Sequence, residues 1–227
     1  MKRSELNGIM RNAVKFAEKM GFALPPFAYW GPKDWETKGK EYDEIRDNML
    51  GWDITDFGSG DFHKIGLLMF TIRNGNFNDN KYMKPYCEKL LIVEEEQITP
   101  YHFHWKKMED IINRGGGNLL VQVYNSTEDE KLADTPVQIS MDGRNYTAPA
   151  GTIVRVTPGE SITLSPGMYH KFWGEKGTGT ILVGEVSKVN DDRVDNRFLN
   201  REGRFPAIEE DAEPLYYLYT EYPAAKD

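Results

Sequence analysis

Two of the four histidines in the chain stand two positions apart, as His102-Phe-His104 in a strand-like run. Side chains at positions i and i+2 of a β-strand point to the same face, so both imidazoles are expected to point the same way. Glu109 follows beyond a predicted bend, and His170 stands far downstream. Three imidazoles and one carboxylate suit a divalent metal such as Mn, Fe, Co, Ni or Zn, and they leave coordination positions open for a substrate.

A His-x-His pair alone is a weak signal, because such pairs also occur on the solvated faces of strands. The added carboxylate, and the Ser165-Pro-Gly167 turn shortly before His170, strengthen the metal-site hypothesis. The remaining histidine, His63, lies beside Asp61 and Lys64 in a polar turn, and we expect it to be an ordinary surface residue.

The composition excludes several broad classes of protein. The 227-residue chain carries 28 basic and 36 acidic side chains, a formal net charge of −8, whereas a nucleic-acid-binding protein needs a basic surface to neutralise phosphates. Apolar residues make up 39% of the chain, enough to build a core, but no apolar run is long enough to span a membrane. The N-terminus has no signal-peptide core, and the single cysteine, Cys87, cannot form an internal disulfide. We therefore expect a cytoplasmic protein with no nucleic-acid or membrane partner.

The periodicity changes from helical to β-like along the chain. Apolar residues recur at helical spacing from Leu6 to Met20, with Ser4 as the expected cap, and residues 32–35 predict a second short helix. After about residue 50, short β-rich runs alternate with turn residues, at 66–74, 88–93, 97–105, 118–124, 137–141, 152–157, 161–164, 170–173 and 180–189. This pattern predicts a mainly β protein with a sandwich or barrel architecture. We expect a helical layer (residues 1–60) packed on a barrel with a C-terminal extension (residues 61–227), as one compact domain.

Two stretches resemble the motifs of the cupin superfamily. His102-x-His104-x4-Glu109-x6-Gly116 is similar to the first cupin motif, and Gly159-x5-Ser165-Pro-Gly167-x2-His170 is similar to the second. Three positions depart from the usual pattern: Glu96 in place of a glycine, Ser165 in place of a proline and Gly174 in place of an asparagine. The resemblance implies a cupin-type β-barrel, or jelly roll, with a helical N-terminal segment.

Longer stretches resemble the bacterial D-lyxose ketol-isomerases. They are spread from about residue 24 to residue 198 and include Leu24-Pro-Pro-Phe-Ala28, Leu50-Gly-Trp-Asp53, Phe70-Thr-Ile-Arg-Asn-Gly75, Glu109-Asp-Ile-Ile-Asn-Arg-Gly-Gly-Gly-Asn118 and Gly184-Glu-Val-Ser187. The resemblance implies a manganese-dependent isomerase that interconverts D-lyxose and D-xylulose, often also D-mannose and D-fructose. It also implies metal ligands at His102, His104, Glu109 and His170.

Isomerisation of an aldose requires a base at carbon and an acid or relay at the sugar oxygens. Lys107 is the first candidate for the second role, since a nearby cation would lower its pKa; a solvated lysine beside Lys106 is the alternative. Glu185 is the leading candidate for the base, because a carboxylate inside an apolar strand is costly to bury unless it is paired or used. An outward-facing glutamate is the alternative, and Glu109 is a second candidate base.

The sequence also suggests groups that bind the substrate. Phe172 is two positions from His170, so strand alternation places both on one side. Lys89 lies on a predicted strand, with the barrel interior and exterior both open to it. Asp192 belongs to an acidic loop, with Asp191 and Asp195, that binds sugar hydroxyls or is simply solvated.

Three functions are compatible with the metal-ligand pattern. The leading hypothesis is a metal-dependent isomerase of free sugars that acts as a homodimer. A cupin oxygenase or decarboxylase uses a similar ligand set, and a non-catalytic cupin would bind a sugar without turnover. Among the metals, Mn²⁺ is favoured, with Zn, Co, Fe and Ni as alternatives.

Overall fold

The computed structural model describes residues 1–200, 203–204 and 206–226. Within these residues the chain has three α-helices: α1 (Arg3–Lys19), α2 (Pro32–Trp35) and α3 (Asp43–Asp47). Short 3-10 helices lie at Pro26–Tyr29, Lys40–Tyr42 and Tyr219–Glu221. The strands are β1 (Gly51–Thr55), β2 (Leu67–Arg73), β3 (Tyr86–Val93), β4 (Ile98–Phe103), β5 (Glu109–Gly116), β6 (Leu119–Ser126), β7 (Leu132–Ala133), β8 (Val137–Met141), β9 (Arg144–Ala148), β10 (Ile153–Val156), β11 (Ser161–Leu164), β12 (Met168–Gly174), β13 (Ile181–Lys188) and β14 (Arg197–Phe198).

The strands form two antiparallel sheets that enclose the main core. The larger sheet has the order β1-β2-β3-β13-β5-β11-β8-β9, and the smaller has the order β10-β6-β12-β4-β14, with β7 paired to β6. The buried cluster between them takes side chains from both sheets, such as Leu91 and Val183 from the larger and Val121 and Val154 from the smaller. The prediction of a mainly β protein with a helical N-terminal segment is therefore confirmed.

Strands β3 and β13 are apolar on both faces because each face is covered by a different layer. In β3, Leu91 and Val93 point into the space between the sheets, whereas Leu90 and Ile92 pack outward in the cluster that contains α1. Period-two alternation then places Lys89, two positions before Leu91, on the inward face.

The helical layer is shorter than predicted. Strand β1 lies within residues 1–60 and pairs with β2, so helices occupy only the part of this segment before residue 48. Helix α1 begins at Arg3 rather than after a Ser4 cap, and Ser4 bonds to Asp211 of the C-terminal segment instead. The division into a layer and a barrel at residue 60 stays a prediction.

Strand β5, missed in the sequence, carries one of the candidate metal ligands. Its inward positions Glu109, Ile111 and Asn113 are buried, and the positions between them are partly exposed. The alternation is regular, but two of these three inward residues are polar, which hides the period-two pattern from a search for apolar residues. The glycine run at its end leads into β6; Gly116 has φ 93°, and a Cβ there would lie 2.2 Å from the Thr180 carbonyl oxygen.

Candidate metal centre and active site

Neighbouring strands of the larger sheet place three charged side chains on its inward face. Glu185 of β13 is the direct cross-strand partner of Lys89 of β3. On the other side of β13, Ser187 pairs with Glu109 of β5, and an offset of two residues keeps Glu109 on the same face as Glu185. All three charged side chains are buried.

The smaller sheet brings the histidines to meet Glu109. His170 of β12 is the direct partner of His102 of β4, and their ring centroids are 4.1 Å apart. His104 follows the end of β4, and its ring centroid is 5.9 Å from that of His170. One candidate ligand atom from each histidine and one from Glu109 all lie within 4.8 Å of one another, and all four side chains are buried.

Backbone carbonyl oxygens orient all three imidazoles. The Nδ1–H of His102 donates to Pro100, that of His104 to Asp195 and that of His170 to Met168, over 2.8, 2.6 and 3.1 Å. A carbonyl oxygen can only accept, so each Nδ1 carries the proton and each Nε2 keeps its lone pair. This is the usual arrangement by which a protein prepares histidine for a metal.

The facing lone pairs fit a cation between them. His170 Nε2 lies 3.2 Å and His104 Nε2 lies 3.5 Å from Glu109 Oε1, so two nitrogen acceptors face a carboxylate acceptor. Among the described residues, His170 Nε2 has no hydrogen-bond partner although it is buried. A divalent metal accepts electron pairs from all of these atoms, and a mixed imidazole and carboxylate set suits Mn, Fe, Co, Ni or Zn.

Lys107 is buried in the centre of this cluster rather than solvated. Its Nζ donates to Glu109 Oε2 over 2.7 Å, to Glu185 Oε1 over 2.9 Å and to Asn190 Oδ1 over 2.9 Å. An ammonium group has three N–H donors, and these three acceptors can use all of them. Asp195 stabilises the turn just before Glu109, because its carboxylate accepts hydrogen bonds from the backbone N–H groups of Lys106 and Lys107.

The lowering of the pKa of Lys107 by a neighbouring cation stays a prediction, and without a metal the carboxylates act in the opposite direction. Burial does lower the pKa of an ammonium, but the charges of Glu109 and Glu185 outweigh it and hold the pKa of Lys107 well above its ordinary value. Burial in turn raises the pKa of Glu109, and the Lys107 charge outweighs that effect and keeps it well below its usual range. Without a metal, Lys107 is therefore a cation and Glu109 an anion at neutral pH.

A second set of charges extends the site away from the histidines. Lys89 Nζ lies 3.1 Å from Glu185 Oε1 and 3.9 Å from Asp192 Oδ2. Arg204 donates to Asp192 over 3.0 Å and also pairs with Asp53. Burial raises the pKa of Asp192, but the charges of Lys89 and Arg204 outweigh it and hold that pKa well below its ordinary value.

These side chains line one cavity between the two sheets. Nine residues that the sequence singled out for a catalytic, metal or substrate role lie on its wall, namely Lys89, His102, His104, Lys107, Glu109, His170, Phe172, Glu185 and Asp192, whereas Asp191 and Asp195 do not. Phe172 lies on the same side as His170, as strand alternation suggested. Lys89 faces the barrel interior, which was one of the two orientations that the sequence left open for it.

Other predicted surface or loop residues have different partners. His63 is exposed and pairs with Glu94, so the surface prediction is confirmed. Asp191 pairs with Arg193, and Asp195 holds the turn before Glu109. Arg204 was missed in the sequence, because an isolated arginine in a polar segment has no spacing pattern.

A sequence profile of the D-lyxose isomerase family matches residues 1–222. The chain belongs to this family. It is 48% identical over 223 residues to a D-lyxose/D-mannose isomerase of Serratia proteamaculans and 46% identical over 223 residues to one of Escherichia coli O157:H7, and each alignment covers 98% of both chains. The resemblance inferred from the motifs is thus confirmed, and the protein is an enzyme of the isomerase class.

Solved structures show the same fold at much lower identity. The L-ribose isomerase of Cellulomonas parahominis has a TM-score of 0.57 and 16% identity, covering 92% of this chain and 98% of that one. The L-ribose isomerase of Geodermatophilus obscurus has a TM-score of 0.58 and 14% identity, with the same coverage. These likenesses confirm the predicted cupin-type fold of this member of the D-lyxose isomerase family.

Proposed function

We propose that this enzyme interconverts D-lyxose with D-xylulose and D-mannose with D-fructose, with a divalent metal, most favourably Mn²⁺, held by His102, His104, Glu109 and His170. The observation that carries the proposal is the contact of a preformed ligand set with the buried Lys107–Glu185 pair in one cavity. Family membership and the names of the Serratia and Escherichia relatives support the choice of sugars.

Glu185 is the proposed base at carbon. The reaction removes the hydrogen of C2 from the aldose as a proton and returns a proton to C1, through an enediolate. The Glu185 carboxylate accepts that proton and gives it back on the neighbouring carbon. Its hydrogen bonds to Lys107 and Lys89 fix its direction, so the group does not have to be oriented during each turnover.

Lys107 is the proposed acid at the sugar oxygens. Its ammonium would donate a proton to O1 while negative charge develops there, and the amine would then take up the proton that leaves O2. The metal would polarise the carbonyl and stabilise the negative charge of the enediolate. Glu109, the second candidate base, is instead held by Lys107 in the position of a ligand.

Lys89, Asp192 and Phe172 are the proposed substrate-binding groups. Lys89 and Asp192 offer a donor and an acceptor to sugar hydroxyls on the side of the cavity away from the histidines. Phe172 offers an aromatic face to the C–H groups of the sugar. A cavity lined by a few placed charges and several apolar side chains is typical of a site for a small polar ligand.

A panel of free aldoses tests the proposal directly. Purified enzyme is stripped with a chelator, reloaded with Mn²⁺, Co²⁺, Ni²⁺, Zn²⁺ or Fe²⁺, and assayed for ketose formation from D-lyxose, D-mannose, D-xylose and L-ribose. We expect chelation to abolish activity, Mn²⁺ to restore it, and D-lyxose and D-mannose to be the preferred substrates. Activity that persists after complete removal of metal contradicts the metal role, and no conversion of either preferred sugar contradicts the substrate assignment.

Two further predictions concern the molecule in solution. We propose a homodimer, formed through exposed barrel edges, and a cytoplasmic location. Sedimentation velocity is expected to give about twice the 26.1 kDa mass of the chain, and a value equal to that mass contradicts the dimer. Within the part of the chain that the structure covers, no helix is both long and apolar enough to cross a membrane.

A further inference from the structure

A bulge in β4 turns one additional polar side chain into the cavity. Opposite β12, His102 pairs with His170 and Thr99 pairs with Phe172, so three steps along β4 match two steps along β12. In a regular strand, residues three apart point to opposite faces. The extra residue of the bulge cancels that alternation, so Thr99 lines the same cavity as His102.

The hydroxyl of Thr99 is buried without a partner. Thr99 is 2% exposed, and its Oγ1 makes no hydrogen bond with any residue that the structure describes. A buried hydroxyl left unpaired is costly, so proteins rarely keep one. An unpaired buried group in a folded protein therefore indicates a functional role or a partner that is not part of the chain.

The surroundings of Thr99 differ from those of the charged groups. Its cross-strand partner is Phe172, and the same cavity is walled by Leu67, Met69 and Leu91. The charged residues, by contrast, pair with one another, as Lys107 does with Glu185 and Lys89 does with Glu185. Thr99 therefore offers a neutral hydroxyl, able both to donate and to accept, that belongs to no such pair.

We propose that Thr99 is a specificity-determining residue whose hydroxyl binds one hydroxyl of the sugar at a carbon other than C1 and C2. This inference rests on the proposed function and extends it to the choice between sugars. A sugar that directs a hydroxyl towards Oγ1 satisfies both buried groups, whereas an epimer that directs it elsewhere leaves them unpaired. Sites of this kind discriminate more strongly than apolar contacts do.

The test compares Thr99→Val with wild-type enzyme, both loaded with Mn²⁺. Valine keeps the branched shape and removes the hydroxyl. On D-lyxose we expect kcat/KM to fall about tenfold or more, mainly through KM, because the lost bond holds the substrate rather than the reacting atoms. Thr99→Ser, which keeps the hydroxyl, is expected to stay within about threefold of wild type, and it decides the question if the valine variant does not fold.

Deoxy analogues identify the hydroxyl that is bound. D-lyxose analogues lacking the hydroxyl at C3, C4 or C5 are assayed with both enzymes. For one analogue, wild type and Thr99→Val are expected to have equal kcat/KM, because the interaction is already absent. The matched control is Thr163→Val on β11, which removes a partly buried hydroxyl that bonds to Asp110 outside the cavity; its kcat/KM should equal that of wild type.

Two results would overturn the proposed role of Thr99 and leave the proposed function of the enzyme in place. One is a wild-type enzyme that converts D-lyxose while Thr99→Val stays within about twofold of it. The other is a valine variant that loses the same factor on D-lyxose and on all three analogues, which indicates a structural effect. If wild-type enzyme with metal fails to convert D-lyxose at all, the proposed function and the role of Thr99 both fall.

Discussion

The ammonium of Lys107 is surrounded by two carboxylates and one amide oxygen, each within 2.9 Å. Two negative charges favour the protonated amine there, so the resting side chain carries the proton required by its proposed role as an acid. Lysine is suited to this role because its three donors lie on one compact group. The neighbouring Lys106 is exposed.

Replacing Lys107 by methionine keeps most of the side-chain volume and removes the charge. We expect kcat to fall by about 10²–10⁴-fold, the usual range for loss of a general acid, while bound metal per chain stays near the wild-type value. Steady-state kinetics and metal analysis by mass spectrometry measure the two quantities. Lys106→Met is the matched control and should keep wild-type kcat; a Lys107→Met enzyme of near-normal turnover would remove Lys107 from the mechanism.

The histidines can be tested by metal content and activity together. His102→Ala and His170→Ala are each expected to lower both by at least about a hundredfold while the circular dichroism spectrum remains that of the folded protein. The ligand set loses one electron-pair donor in each variant, and the remaining ligands bind metal less tightly. His63→Ala, at an exposed histidine paired with Glu94, should change neither quantity. Full metal content in both cavity variants contradicts the proposed ligands.

At the scale of elements, most strands that carry the site were predicted, namely β3, β4, β12 and β13, and only β5 among them was missed. Strands β8 and β11 follow the predicted bounds, because every second residue is apolar or the flanking turns are clear. In β5, Glu109 and Asn113 occupy inward positions where a search expects apolar side chains. Polar side chains that face the interior of a barrel therefore weaken the local signal for their strand.

A buried asparagine clamp supports the segment after β13. The side chain of Asn74 donates to the backbone oxygen of Asn190 over 2.8 Å and accepts its backbone N–H over 3.0 Å. Asn190 in turn accepts from Lys107. Gly75 allows this close approach, since a Cβ there would lie 1.9 Å from the Lys84 carbonyl oxygen and 2.7 Å from a Val189 methyl group.

Two glycine-to-alanine changes should therefore have opposite effects. Gly75→Ala pushes the loop away from its neighbours and is expected to lower the free energy of unfolding by about 1–3 kcal/mol. Gly8→Ala lies in α1 with no atom within 4 Å of the new Cβ, and it should raise that free energy by about 0.5–1 kcal/mol. Urea unfolding measures both. Equal shifts of the same sign would contradict the close packing at Gly75.

At the scale of the whole molecule, a continuous set of paired charges runs through the barrel interior. Starting at β1 it alternates in sign along Asp53, Arg204, Asp192, Lys89, Glu185, Lys107 and Glu109. Each member is paired on at least one side, which offsets the cost of burying charge.

The stability of the metal-stripped protein should have a defined pH range. Burial, followed by the charge of His170, lowers the pKa of His102 well below 6.5, so below about pH 6.5 the unfolded chain binds a proton that the folded protein does not. The free energy of unfolding should therefore decrease as the pH is lowered through that region. The lowered pKa values of Glu109 and Asp192 add a further loss of stability at lower pH, beneath their ordinary values of 4.5 and 3.8.

The raised pKa values of the buried Lys89 and Lys107 affect the free energy of unfolding at high pH. Their stabilising contribution is complete below 10.5 and is lost only as the pH rises through their higher folded values. Urea unfolding with a chelator present, at about pH 5.5 and 8.0, should show the lower stability at the acidic value. His102→Gln should reduce that difference; equal stability of the wild-type protein at both pH values contradicts the buried neutral histidine.

The sequence by itself determined the chemistry of the ligand set, the mainly β class and the family. These features depend on residue types and on short spacings such as that of His102 and His104. They also depend on many short motifs, each of which can be recognised within its own segment. Glu96 illustrates this: it stands at a usual glycine position of the first cupin motif, and its φ of 58° is the left-handed conformation that glycine adopts freely.

Only the tertiary structure decided which charged side chains meet. Lys89, Glu109, Glu185 and Asp192 come from separate parts of the chain, and each could have faced solvent as far as its own segment shows. Sheet order, strand register and the bulge in β4 turned these groups and Thr99 inward. Register is set by the packing of whole sheets and the pKa of a buried group by its neighbours in space, so neither can be read from local spacing.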